Sequence, residues 1–346
     1  MNGGMTRSFA LWRFLFFISL SLLCFLPLTA NAVSLDPYPV YDGFHDETSI
    51  SFFREERPSF YWVNTGVPDV FFNGVTQTSG NPTNEVYSVN GIEYGIRLSH
   101  WIDDHWRVTG TLPFEANAMV DASGNTHTSD RIGDVEVGMT YLLTGVRQKG
   151  NFAGVDGWYR FATGTNPFTQ TYPLLASGRG AASEAIGVVL GQRLWNEFSF
   201  YESFHYENTQ PLQIDASNSA GLPAGTFQWP ENIEAEGRIE WDVLQRAHRL
   251  VSLFFQYSMR MGGLMTLNNQ AITYGQSFQL NGSGQAIPVG TTSQLFWDTG
   301  GAVFQVDQEF TAEVDVSYFP AYFIQQTQSI PNSGLLLSMS LIFRPF

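Results

Sequence analysis

Along much of the chain, apolar and polar residues alternate one by one. The stretch from Ile233 to Val243 is the clearest case. Ile233, Ala235, Gly237, Ile239, Trp241 and Val243 share one parity, and Glu234, Glu236, Arg238, Glu240 and Asp242 share the other. Strand side chains point alternately to opposite faces, so a strand puts all five charges on one side. A helix would spread them around its circumference. The pattern recurs with Val251, Leu253, Phe255, Tyr257 and Met259 on one parity, and again with Val135, Val137, Met139, Tyr141 and Leu143. Ile92–Leu98, Phe310–Tyr318 and Leu335–Phe343 repeat it.

The gaps between these segments alternate in length. Short ones lie near Asp103-Asp104, Val146–Gly150, Trp195-Asn196, Leu244–Ala247 and Gln305–Gln308. Long ones, rich in Gly, Asn, Ser and Pro, lie near 65–84, 121–130, 164–182, 210–230, 262–290 and 324–332. Tight turns at one end and long loops at the other are the rhythm of a transmembrane β-barrel. The reading is therefore all-β: a single antiparallel transmembrane barrel. Its strands fall near 48–63, 86–100, 105–119, 131–144, 152–163, 183–194, 197–209, 232–243, 249–261, 292–305, 309–322 and 334–345. That makes twelve, or fourteen if the 262–290 loop holds a hairpin around Ile272–Leu280. In the first strand Pro58 must sit where no ladder hydrogen bond is needed. Trp101, Trp106, Trp195 and Trp241 flank short turns, where an aromatic girdle would meet the membrane boundary.

The ends extend this picture. Arg7 and Arg13 precede the apolar run Phe14–Leu28, which closes on Ala30-Asn31-Ala32. This is the form of an export signal cleaved after Ala32, and the run is short for a membrane-spanning helix. The expected division is a signal peptide at 1–32, a periplasmic or lumen-inserted segment at 33–47, and an outer-membrane barrel at 48–346. Phe346 ends the last strand with the aromatic residue expected for barrel-assembly machinery, although Pro345 takes it off the parity of Leu337–Phe343. The expected location is the outer membrane of a Gram-negative bacterium, with lipid and lipopolysaccharide as neighbours. The single cysteine, Cys24, lies in the signal segment, so no disulfide framework staples the remainder. A net charge of −15 disfavours nucleic acid, whose phosphates need a basic surface.

Gly133-Asp134-Val135-Glu136-Val137-Gly138-Met139-Thr140-Tyr141 resembles a strand of the outer-membrane proteins of the meta-pathway of phenol degradation. Thr163-Gly164-Thr165-Asn166-Pro167 and Ser177-Gly178-Arg179-Gly180 resemble that family's loop before its next strand. The resemblance covers about 85–210, and the segment before Glu85 departs from the family's start, so a neighbouring barrel family is the alternative. It implies passage of hydrophobic or aromatic compounds across the outer membrane.

Parity assigns the charged residues to the lumen: Glu93, Arg97, Arg107, Glu115, Asp134, Glu136, Arg160, Arg193, Glu207, Glu234, Glu236, Arg238, Glu240, Asp242, Arg260, Glu313, Asp315 and Arg344. They line either a selective solvated path or a structural network between facing walls, which arginine suits through its two-pronged binding of carboxylates. Three function classes follow: a passive channel for small solutes, a lipid- or peptide-acting enzyme, and a structural or adhesive barrel working through its loops. For the enzyme the candidate pair is Ser203 and His205, which share the lumen face. Asp103-Asp104-His105 and His45-Asp46-Glu47 have cation-ligand chemistry, but read as solvated polar segments. Phosphate-binding loops, dinucleotide fingerprints and paired-cysteine sites are absent from the sequence. The expectation is therefore no cofactor, no resident metal and no catalysis.

Overall fold

The computed structural model describes residues 48–64, 85–120, 124–146, 151–172, 175–195, 198–218, 224–246, 249–262, 266–271, 278–280, 286–288, 293–305, 310–318, 329–331 and 335–343. In chain order its strands begin with β1 (Thr48–Asn64), β2 (Glu85–Trp101), β3 (Trp106–Val120), β4 (Thr126–Ile132), β5 (Glu136–Val146), β6 (Asn151–Arg160) and β7 (Ser183–Trp195). There follow β8 (Phe198–Thr209), β9 (Leu212–Ile214), β10 (Gly225–Gln228), β11 (Asn232–Arg246), β12 (Arg249–Gly262), β13 (Thr266–Leu267) and β14 (Gln270–Ala271). The last are β15 (Phe278–Leu280), β16 (Ala286–Pro288), β17 (Ser293–Gln305), β18 (Phe310–Tyr318), β19 (Ser329–Pro331) and β20 (Leu335–Phe343).

Twelve of these close an antiparallel barrel in the order β1-β2-β3-β5-β6-β7-β8-β11-β12-β17-β18-β20. Closure runs from Ile50↔Phe343 to Glu55↔Ser338, which pairs the first strand with the last. In hydrocarbon every backbone group must be satisfied within the protein, and closure removes the edges that would violate this. Pro58 falls inside the register shift between Arg57 and Phe60, where the ladder is already interrupted.

Two expectations are corrected. The strand expected at 131–144 is a longer path broken at Gly133–Val135: β4 pairs with the upper half of β3 and β5 with its lower half. The fourteen-strand alternative also falls. The only hairpin described beyond 272 in the 262–290 loop, β15–β16, forms its own two-stranded sheet outside the barrel.

The faces sort by chemistry. Phe52, Leu98, Met139, Ile186, Val188, Phe204, Ile239, Leu253, Phe255, Val314, Val316 and Leu337 are exposed on the outside. Ser51, Glu93, Thr140, Asp156, Ser203, Glu236, Arg238, Ser252 and Thr311 are buried inside. Apolar outside and polar inside is the reverse of a water-soluble sandwich, and fits a wall facing lipid. Trp106 and Trp241 stand on this outer face beside the short turns, with Trp241 stacked on Phe198 at 5.9 Å between ring centres. The side chain of Trp195 lies outside the described residues.

Candidate functional site

Seventeen of the eighteen charged residues assigned to the lumen lie on the buried or half-buried inner side; Arg344 lies outside the described residues. Their partners reach across neighbouring strands. Glu207 on β8 is fully buried and is ringed by cations. Arg260 on β12 donates to it at 2.6 Å, Arg160 on β6 lies 3.6 Å away, and Arg179 from the outer loop forms a third ion pair. The Asn232 amide donates to the same carboxylate at 2.9 Å. Arg160 also pairs with Glu136 at 3.0 Å, and Arg260 with Glu234 at 3.0 Å. A carboxylate taken this far from water is tolerable because guanidiniums surround it.

Lower in the barrel, Arg238 is only 1% exposed. It lies 3.4 Å over the Phe254 ring and pairs with Glu240 at 3.3 Å and with Glu313 on β18 at 3.1 Å. Two strands separate β11 from β18, so the Arg238–Glu313 pair is a chord across the lumen. Arg193–Asp242 at 2.8 Å and His205–Asp156 at 2.8 Å each skip one strand in the same way. Arg97 and Arg160 set their guanidiniums over the Phe53 and Trp158 rings, at 4.8 and 4.6 Å from the ring centres.

The end with the short turns is closed differently. Trp101, Leu142, Phe152, Val189 and Tyr201 form an apolar cluster inside the barrel. Trp101 was expected in the outer girdle, and the structure corrects this. It shares the parity of Arg97 and Ser99, so it points inward, is 4% exposed, and lies beneath the Arg107 guanidinium at 5.7 Å. In the tight turn beside it, the Asp103 carboxylate accepts from the His105 and Trp106 amides at 2.7 and 2.8 Å. Those two bonds hold its pKa below the ordinary aspartate range.

The opposite end carries a folded cap that sequence patterning did not reveal. Strands β9, β10, β13 and β14 make a small sheet. With the 3-10 turn Pro167–Thr169, they enclose a core of Phe168, Ala181, Ile214, Phe227 and Trp229. The Phe168 and Phe227 rings meet edge-on at 4.7 Å. Residues 161–172 and 175–182 form the strap joining cap to barrel. At the break between β4 and β5, Asp134 accepts from the backbone of Gly164 at 2.8 Å and of Arg179 at 2.9 Å. Ser177 donates to the Ile132 carbonyl at 2.7 Å, Asn117 to Ala176 at 3.2 Å, and the Trp229 indole to Arg179 at 2.9 Å. A Cβ on Gly178 would lie 2.8 Å from the Gly164 Cα, so these backbones meet only as glycines. Gly180, at φ +72°, takes a turn other residues resist. Those glycines were the available signal. Each long loop, though, taken singly, reads only as polar and breaker-rich.

Between cap and floor a narrow polar cavity remains, lined among others by Glu55, Glu93, Arg97, Trp158, Arg160 and Glu234. It leaves about 40 Å³ open to water, room for a few molecules. Ser203 and His205 do lie together on the buried inner face of β8, but they form no catalytic couple. His205 bonds to Asp156, and the Ser203 hydroxyl has no hydrogen-bond partner among the described residues; a serine nucleophile needs its base within reach. Among the described residues no three acidic, histidine or cysteine side chains converge as a metal site. His45-Asp46-Glu47 and the segment 33–47 lie outside the described residues.

No family model and no curated protein matches the chain, so the likeness to the meta-pathway proteins remains a resemblance. Solved structures do match. The COG4313 outer membrane channel from Pseudomonas putida F1 aligns over 90% of this chain and 99% of its own, at TM-score 0.58 and 9% identity. The toluene transporter TbuX from Ralstonia pickettii covers 86% and 90% at 0.42 and 9% identity. The transport unit of the autotransporter AIDA-I from Escherichia coli covers 91% and 93% at 0.42 and 12%. The last two scores carry no weight; the first establishes architecture. This chain is a closed twelve-stranded antiparallel barrel, and its fold is similar to that of the outer membrane channel from Pseudomonas putida F1.

Proposed function

We propose that the chain is an outer-membrane channel passing small solutes passively, exported by the signal segment at 1–32. One observation carries this reading: a closed barrel is apolar over its outer wall and lined inside by charged and hydroxyl side chains around a water-sized cavity. Such a lining offers a hydrated path and tunes which solutes use it. The charged positions from Glu93 to Asp315 are its lining residues in this reading. The finer cargo, hydrophobic or aromatic compounds, rests on the resemblance to the meta-pathway proteins; the polar interior adds no support for it.

The folded cap favours a gate over an adhesin. Its strap does not merely project outward but sends Arg179 into the lumen to Glu207. The test is single-channel conductance in planar bilayers together with liposome swelling by small sugars and amino acids. Stepwise currents and swelling support the channel; a sealed barrel in both assays contradicts it.

A further inference from the structure

The arginines of the inner wall whose ion pairs are described each already hold a carboxylate. Arg160 and Arg260 serve Glu136, Glu207 and Glu234, Arg238 serves Glu240 and Glu313, and Arg193 serves Asp242. Glu236, in the middle of β11, stands apart from these pairs. It is 6% exposed and faces the lumen, and its Oε2 has no hydrogen-bond partner among the described residues. A bond from Ser258 reaches the carboxylate, and the charged groups around it are Glu234, Glu55 and Arg97. Arg97 itself lies against the Phe53 ring. Directly across the ladder on β8 is Ser203, buried, its hydroxyl also without a partner.

A bare carboxylate oxygen and a bare hydroxyl, opposed on adjacent strands beside two more acids, form an acceptor set short of a positive ligand. Described acids do not gather in threes as a metal would need. One carboxylate and one hydroxyl suit a compact monovalent cation that keeps part of its own hydration, such as potassium or a primary ammonium. Extra negative charge along the inner wall, where the carboxylates among the assigned lumen residues outnumber the arginines, draws the same ions in.

We infer that Glu236, with Ser203, is a binding position for compact monovalent cations in the lumen and makes the channel cation-selective. This rests on the channel reading above, and the experiment separates the two. Purified protein in a planar bilayer is held under a potassium chloride gradient, and the reversal potential gives the permeability ratio. The wild type is expected to favour potassium over chloride, and methylammonium to reduce the current. Glu236→Gln is expected to lower the ratio at least about threefold, while Glu236→Asp keeps it. Heat-modifiable migration on a gel checks that each variant folds. A wild type that conducts without cation preference overturns the inference while leaving the channel intact, and so does a folded Glu236→Gln with unchanged ratio. If no current flows, the channel reading fails, and calorimetric titration of methylammonium into the solubilised protein decides. Saturable binding lost in Glu236→Gln upholds the site; no binding to the wild type refutes it.

Discussion

Arg179, in the strap of the outer cap, forms an ion pair with Glu207, the fully buried carboxylate on the inner wall of β8. The contact joins the segment that covers the barrel to the charge network that fills it. Removing Arg179 leaves Glu207 with Arg160 and Arg260, so the wall keeps its balance while the strap loses its inner anchor. Arg179→Ala is expected to raise conductance severalfold without loss of folding. Bilayer currents check this, and a current equal to wild type would remove the strap from gating.

Glu207→Ala should behave differently. It strips three guanidiniums of a shared partner in a buried setting, a change that costs about 3–5 kcal/mol. Urea unfolding in lipid vesicles, followed by tryptophan fluorescence, is expected to show this loss. A midpoint unchanged from wild type would mean that water, not protein, balances these cations.

The outer wall also holds a pair of opposite character. The Tyr257 hydroxyl donates to Glu202 at 3.0 Å, two strands away, across Gly237 between them. A Cβ on Gly237 would strike the Tyr257 ring, so the glycine makes room for the bond. Glu202 shares the outward parity of Phe198 and Tyr206, four residues to either side, and a carboxylate facing hydrocarbon is costly. Tyr257→Phe is expected to destabilise by about 1–3 kcal/mol. Adding Glu202→Leu should then restore wild-type stability or exceed it. Additive losses in the double variant would contradict a lipid-facing pair.

Asp103 gives a pH signature at the tight turn. Its two amide bonds favour the ionised form, so its folded pKa lies below the unfolded one. The support it gives is complete above the ordinary aspartate range, near 3.9, and fades as pH falls through the lowered value. The amide shifts of His105 and Trp106 should titrate with a midpoint below that range in detergent-solubilised protein. A midpoint at or above it would show the bonds absent in solution.

Alternation made the barrel readable because one face of every strand meets lipid and the other meets charge, and parity keeps them apart. The ends of the twelve barrel strands, the break near Asp134 apart, therefore fall close to the sequence reading, and Glu207, Glu236 and Arg238 are inward as their parity requires. Trp101 was misplaced because residue type was weighed over its parity with Arg97. The cap escaped notice because Phe168, Ile214 and Phe227 come from separate loops and show no local period. Arg179 became a lumen residue only through folding of the strap, and its Gly178 and Gly180 neighbours mark the bend without naming its target. The break at Asp134 was likewise hidden, since its cause is the distant backbone of Gly164 and Arg179.

Past Cys24 the chain has no cysteine, so in protein lacking residues 1–32 single cysteines can be placed along β11 without background. Spin labels at 234 through 241, in protein refolded into vesicles, report contact with lipid-soluble oxygen or a water-soluble nickel chelate. Alternation is the expected result: oxygen contact at 235, 237, 239 and 241, and restricted or aqueous contact at 234, 236, 238 and 240. Equal accessibility to the nickel chelate at all eight positions would contradict a membrane-spanning barrel.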